Sequence, residues 1–160
     1  MSAASSVRRL TAVAAVAAAA VGAVTLPATA ADHHYPGPAH AAVYISQVRY
    51  DSPGRDDRSN WSLNQEWVDV TNSTRRAVNL NGWTLRDADG HTYTFRYLRL
   101  DGRSTVRVHT GVGRDTRTDV FQDRRAYVWN NDYDTATLRN DRGRFIDDVS
   151  WGRHHRGHRH

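Results

Sequence analysis

The central part of this 160-residue sequence predicts an all-β domain, an antiparallel β-sandwich or barrel of about eight or nine short strands. Three observations carry that expectation. From Val43 onward, short runs rich in β-branched and aromatic residues recur, each bounded by Gly, Asn, Asp or Pro. No stretch shows a helical period of any length. Five Trp, seven Tyr and three Phe supply large side chains at few positions, enough for a domain of roughly 100 residues to bury a core.

Taken in order, Val43 to Tyr50 is the first strand, and Asp51 to Asp57, with Pro53-Gly54 inside it, is a turn-rich loop. The second strand runs from Glu66 to Thr71. Strand geometry puts Trp67 and Asp69 on one face and Val68 and Val70 on the other. Val78 and Leu80 mark a third strand and Gly82 to Arg86 a fourth. Asp87-Ala88-Asp89-Gly90 reads as a hairpin turn into His91 to Phe95. Asp101-Gly102 turns into Ser104 to His109, Gly111 and Gly113 punctuate a loop, and Val120-Phe121 is a short edge. Ala126 to Trp129 reads as a strand, and Asn130 to Asp134 as a turn whose residues tolerate left-handed backbone. Thr135 to Arg139 pairs back, and Asp141-Arg142-Gly143 turns into a last strand, Arg144 to Trp151. Glu66 is the only glutamate, and the neighbouring Trp67 and Trp83 read as core anchors.

The ends have a different composition. Residues 1–30 read as a secretory signal peptide. Arg8 and Arg9 form the positive region, Leu10 to Val24 the apolar run, and Leu26-Pro27-Ala28-Thr29-Ala30 the cleavage site. The apolar run is short and rich in Ala for a spanning helix, so the expectation is an extracellular protein with no membrane span after cleavage near Ala30. Cleavage after Ala30 or after Ala31 fits equally. Residues 31–42, with Pro36-Gly37-Pro38, read as a disordered linker. Residues 43–151 form the sandwich domain. Residues 152–160 (GRHHRGHRH) have no apolar residue to bury and read as a disordered His/Arg-rich tail.

Composition narrows the function. There is no cysteine, which excludes a disulfide framework, a thiolate metal site and a Cys nucleophile. All 22 basic residues are Arg. Residues 43–151 hold 17 of them against 16 acids, a net of +1. The near balance predicts mixed surface ion pairs on the domain and places the surplus charge in the tail. There Arg153, Arg156 and Arg159 are the candidate contacts for nucleic acid or another polyanion.

Metal ligands are suggested at both ends. After cleavage, His33 is the third residue if the chain begins at Ala31, and His34 is the third if it begins at Asp32. An amine, two deprotonated amides and an imidazole then make a square-planar nitrogen set suited to Cu(II) or Ni(II), which nominates Asp32, His33 and His34. In the tail, His154, His155, His158 and His160 suit borderline divalent metals. No cofactor is required by any motif.

Within the domain, chemistry competes with simpler roles. Glu66 reads as a strand-end acid that hydrogen-bonds backbone or an arginine; a glycosidase needs a second carboxylate at a defined separation, and none is nominated. Ser104, His109 and Asp115 lack the local signature of a hydrolytic triad. Asp87-Ala88-Asp89-Gly90 resembles the opening of a calcium loop, but it lacks the third oxygen ligand and the closing Glu. A small secreted hydrolase is therefore the weakest of the functional readings.

Several motifs taken together resemble the lamin tail domain family. They are Glu66-Trp67-Val68-Asp69-Val70-x-Asn72, Val78-x-Leu80-x-Gly82-Trp83-x-Leu85-x-Asp87 and Asp89-Gly90-His91-x-Tyr93-x-Phe95. Val106-Arg107-Val108-His109-Thr110-Gly111-x-Gly113 and Trp129-Asn130-Asn131-x-x-Asp134-Thr135-Ala136-x-Leu138 complete the set. The resemblance spans about Val43 to Trp151. It departs at two turn positions, with Asp101 where Pro is usual and Tyr133 where Gly is common. It implies an immunoglobulin-like β-sandwich with no agreed catalytic residues. In bacteria such domains occur as secreted modules, alone or attached to extracellular hydrolases. The expected function is a secreted, non-enzymatic binding or adhesion module for an extracellular macromolecule or a cell-envelope partner. The alternative is a metal- or polyanion-binding protein that acts through its two ends.

Overall fold

A computed structural model describes residues 41–152. The chain forms β1 (Val43–Arg49), a short helix α1 (Asn60–Asn64), β2 (Trp67–Asn72), β3 (Val78–Asn79), β4 (Thr84–Arg86) and β5 (Thr92–Thr94). It continues through β6 (Arg99–Leu100), β7 (Thr105–His109), β8 (Asp119–Phe121), β9 (Tyr133–Arg139) and β10 (Phe145–Gly152). One four-stranded sheet has the order β1-β2-β7-β8 and the other β10-β9-β4-β5, with β3 and β6 paired separately. The two four-stranded sheets sandwich one core, as the all-β immunoglobulin-like expectation requires.

The alternation read from the sequence builds that core. Val68 and Val70 of β2, Val106 and Val108 of β7, and Ala136 and Leu138 of β9 are all fully buried, while their neighbours in each strand face outward. The register places Val68 opposite Val108 and Val70 opposite Val106. The β4–β5 hairpin turns as its sequence predicts. The Asp87 carboxylate accepts the Gly90 and His91 amides at 2.6 and 2.7 Å, and Gly90 takes a φ of 104° that only glycine adopts freely.

Four sequence expectations change. First, Ala126 to Trp129 is not a strand. Its amides bond to a side chain instead of a ladder: Val128 N and Trp129 N donate to Glu66. Second, Trp129, 2% exposed, is the tryptophan inside the central core cluster, whereas Trp67 is buried, at 7% exposure, but outside that cluster. Trp67 lies on the outer face of its sheet beneath the Arg107 guanidinium, 3.5 Å from the ring centroid, and Trp83 packs only partly against the core. Third, β8 runs parallel to β7, pairing Val120 with Val108, so the sandwich is not wholly antiparallel. Fourth, Asn60–Asn64 is helical. Five residues are too few to show a period, but Ser59 caps the helix by accepting the Ser62 amide at 3.2 Å. No helix among the described residues is long and apolar enough to cross a membrane.

Candidate functional site

Six acids of the domain hold backbone. Glu66, fully buried at the entry to β2, accepts Trp129 N at 2.9 Å and Val128 N at 3.1 Å. Burial pushes its pKa up from 4.5 to about 7, against the opposing pull of those amides and the Thr110 hydroxyl. That hydroxyl lies close to the carboxyl but completes no hydrogen bond of good geometry. Asp134 accepts the amides of Ala88, Asn130 and Thr135 at 2.7–3.0 Å. Asp147 accepts Ile45 N at 2.8 Å, Asp115 accepts Phe121 N at 2.9 Å, and Asp57 accepts Ser59 N at 2.8 Å. Amide-to-carboxylate bonds are about twice as strong as neutral ones, which makes these acids structural clasps.

The residues considered for catalysis are not brought together. The ring of His109 stacks on Phe121 at 4.8 Å. Its Nδ1 donates to the Asn64 carbonyl, and its Nε2 lies 2.9 Å from Asp119. Both nitrogens thus have partners within the fold. The contact with His109 is the main reason that Asp119 is held below the usual carboxylate range. Ser104 sits at the opposite end of β7, bonded to Gly102 O, and Asp115 holds Phe121, so no triad forms. Both Asp87 oxygens are engaged by Gly90 and by the backbone and ring of His91. Among the described residues no group of three or more His, Asp or Glu is placed to hold a metal.

The arginines are treated differently. Among the described residues one arginine–carboxylate ion pair forms, Arg107 to Asp69, bidentate at 2.8 and 2.8 Å. The balanced charge count therefore does not produce the mixed surface pairing expected of it; six acids, Asp57, Glu66, Asp87, Asp115, Asp134 and Asp147, accept backbone amides instead.

Arginines line the edge of the sandwich where β5 and β8 end the two sheets. A groove of about 650 Å³ is bordered by Arg96, Tyr97, Arg99, Asp115 and Arg117. A second, of about 310 Å³, shares Arg96 and Asp115 with it and reaches Thr92 and Asp123. Arg124 donates to Thr92 O at 3.3 Å and, with Arg58 and Arg125, borders a third groove of about 430 Å³. Six arginines thus face two aspartates along one track. The side chains of Arg96, Arg99 and Arg117 are exposed and make no ion pair or hydrogen bond among the described residues. Tyr97 is 96% exposed. Its φ is 53°, a left-handed value costly for a non-glycine residue, and its amide donates to Asn81 Oδ1. Arg58 and Asp123 on the same track are also left-handed, at 56° and 54°. Arg103, away from the track, is left-handed as well, at 61°.

The site residues nominated from the sequence at the two ends lie outside the described residues: Asp32, His33 and His34, and Arg153, His154, His155, Arg156, His158, Arg159 and His160. The open-edge track was not visible in the sequence. Its nearest signal is the Arg96-Tyr97 pair, an arginine beside an aromatic between two strands.

Comparison with known proteins places the chain. The family model described as Lamin Tail Domain matches residues 36–153. That is well over half of the sequence, and the chain belongs to that family. No curated protein matches it.

Proposed function

We propose that this lamin tail domain is a secreted, non-enzymatic binding module for an anionic extracellular macromolecule. One observation supports it above the others: the acids and the histidine that a catalytic site would draw on hold the fold together, while the arginines of one edge are free. General acid–base chemistry needs a titrating group within reach of a substrate. Glu66 has a pKa of about 7 but is sealed from solvent. The signal-like residues 1–30 support export.

An alternative puts the activity in the ends, with Cu(II) or Ni(II) held at Asp32, His33 and His34. His154, His155, His158 and His160 would hold metal in the tail, and Arg153, Arg156 and Arg159 would hold polyanions. Its support is the third-residue histidine and the tail composition. The test of both is binding of the mature chain to immobilised heparin, before and after Arg153, Arg156 and Arg159 are all changed to Ser. The module reading expects retention at low salt in both forms and no turnover of nucleic acid or polysaccharide. Retention lost wholly with the tail arginines favours the alternative, and turnover contradicts the non-enzymatic reading. Uptake of Cu(II), followed by its visible d–d absorbance, tests the N-terminal set.

A further inference from the structure

We infer that the open-edge track binds single-stranded nucleic acid, with Tyr97 as a stacking platform and Arg96, Arg99 and Arg117 as phosphate contacts. This rests on the binding-module reading above and names the ligand for it.

The argument begins with what the site offers. Its cations are guanidinium groups, whose planar fork matches phosphate oxygens in pairs. No ion pair is made to any of the three among the described residues; Asp115, bonded to the Phe121 amide, keeps its charge, but the three guanidinium groups outnumber it around the groove. An aromatic ring stands among them. Tyr97 borders two grooves at once, the one shared with Arg99 and Arg117 and another shared with Asn81 and Thr94. A ring exposed to this degree gains nothing from the core, and its left-handed backbone is tied down by Asn81. An exposed ring beside cations is the pairing that single strands use, with the bases on the aromatic faces and the phosphates on the basic groove.

Two other occupants fit less well. A duplex offers a free base face only at its ends, so Tyr97 would find little to stack on along its length. An acidic polysaccharide suits the arginines but has no flat π-face for the ring. The track also extends past Arg124 towards Arg58 and Arg125, so a strand of several nucleotides has further cations to follow.

The test measures fluorescence anisotropy of labelled dT20 with the mature full-length protein at pH 7.5, over a series of salt concentrations. Three variants accompany the wild type: Arg96→Ser/Arg99→Ser/Arg117→Ser, Tyr97→Ala, and Arg153→Ser/Arg156→Ser/Arg159→Ser. The altered groups of the first two are exposed, and circular dichroism melts confirm that the fold is retained. The triple groove variant is expected to bind at least tenfold more weakly, with a log K against log salt slope shallower by about 2, since each phosphate on a single strand contributes about 0.7. Tyr97→Ala is expected to bind about fivefold or more weakly with an unchanged slope. Both groove effects should persist in the tail variant background. If the Tyr97 and groove variants bind dT20 as the wild type does, the inference is overturned. Loss with the groove arginines but not with Tyr97, and equal competition by heparin, also overturns the nucleic-acid assignment while leaving the module reading intact. No retention of any polyanion defeats both.

Discussion

The two long edges of the sandwich use their polar groups in opposite ways. Where β1 meets β10 the sheets are stitched together. The Ile45 amide, at the β-bulge in β1, donates to Asp147 of β10. Tyr50 stacks on Trp151 at 4.8 Å, Trp151 meets Trp129 edge-on at 5.9 Å, and the Trp151 indole donates to Asn130 O at 2.7 Å. Where β5 and β8 end the sheets, the strands are only three residues long. The space between carries grooves, free arginines and an exposed tyrosine. A net charge of +1 conceals this difference. Charge counting does not say where the charges lie: arginines outnumber aspartates around the open-edge grooves, and among the described residues only Asp69 pairs with an arginine.

If the interior and the closed edge carry stability, breaking them should cost most. Glu66→Ala leaves two buried amides without an acceptor and a cavity beside Trp129. The expected loss is about 3–5 kcal/mol in chemical denaturation.

The pH dependence of that clasp follows in size. Glu66 has a folded pKa of about 7 against an ordinary 4.5. Between those values the native chain holds a proton that the unfolded chain has lost, so the contribution is fully present below pH 4.5. It declines as pH rises through 7, by about 3 kcal/mol in all. Glu66→Gln cannot ionise. The stability of wild type minus that of Glu66→Gln should therefore fall by about that amount between pH 4.5 and 8; a difference independent of pH contradicts the burial argument.

At the closed edge, Asp147→Ala strips the bulge amide of its acceptor. It should cost about 1–2 kcal/mol, because β1 retains its ladder with β2. At the open edge, changing Arg96, Arg99 and Arg117 to Ser removes no side-chain hydrogen bond or ion pair among the described residues, and stability should stay within about 0.5 kcal/mol per site. A loss there as large as that of Asp147→Ala would erase the contrast between the edges.

Much of the fold was legible because alternation and turn residues are local signals. Val68/Val70 and Val106/Val108 announce their faces within a few residues, and the Asp87–Gly90 turn carries its own hydrogen bonds. Other features depend on partners remote in sequence. The acceptor of the Val128 amide lies 62 residues away, so the segment 126–129 reads as a strand when it is a guest of Glu66. Trp67 reads as core because nothing nearby shows that Arg107, on another strand, will cover it. The open-edge track is assembled from loops around Arg96, Arg117 and Arg124 that only the fold brings to one edge. No composition could show which acids clasp amides and which arginines are left without a carboxylate partner.

The most direct measurement of the central claim is a ¹H–¹⁵N NMR titration of the isotopically labelled mature protein with dT12 at low salt. The account predicts saturable shifts clustered at Arg96, Tyr97 and Arg99, at Asp115 to Arg117, and towards Thr92, with Ile45, Asp147 and Trp151 of the closed edge unmoved. Shifts confined to residues 153–160, or spread evenly over both edges, would contradict it.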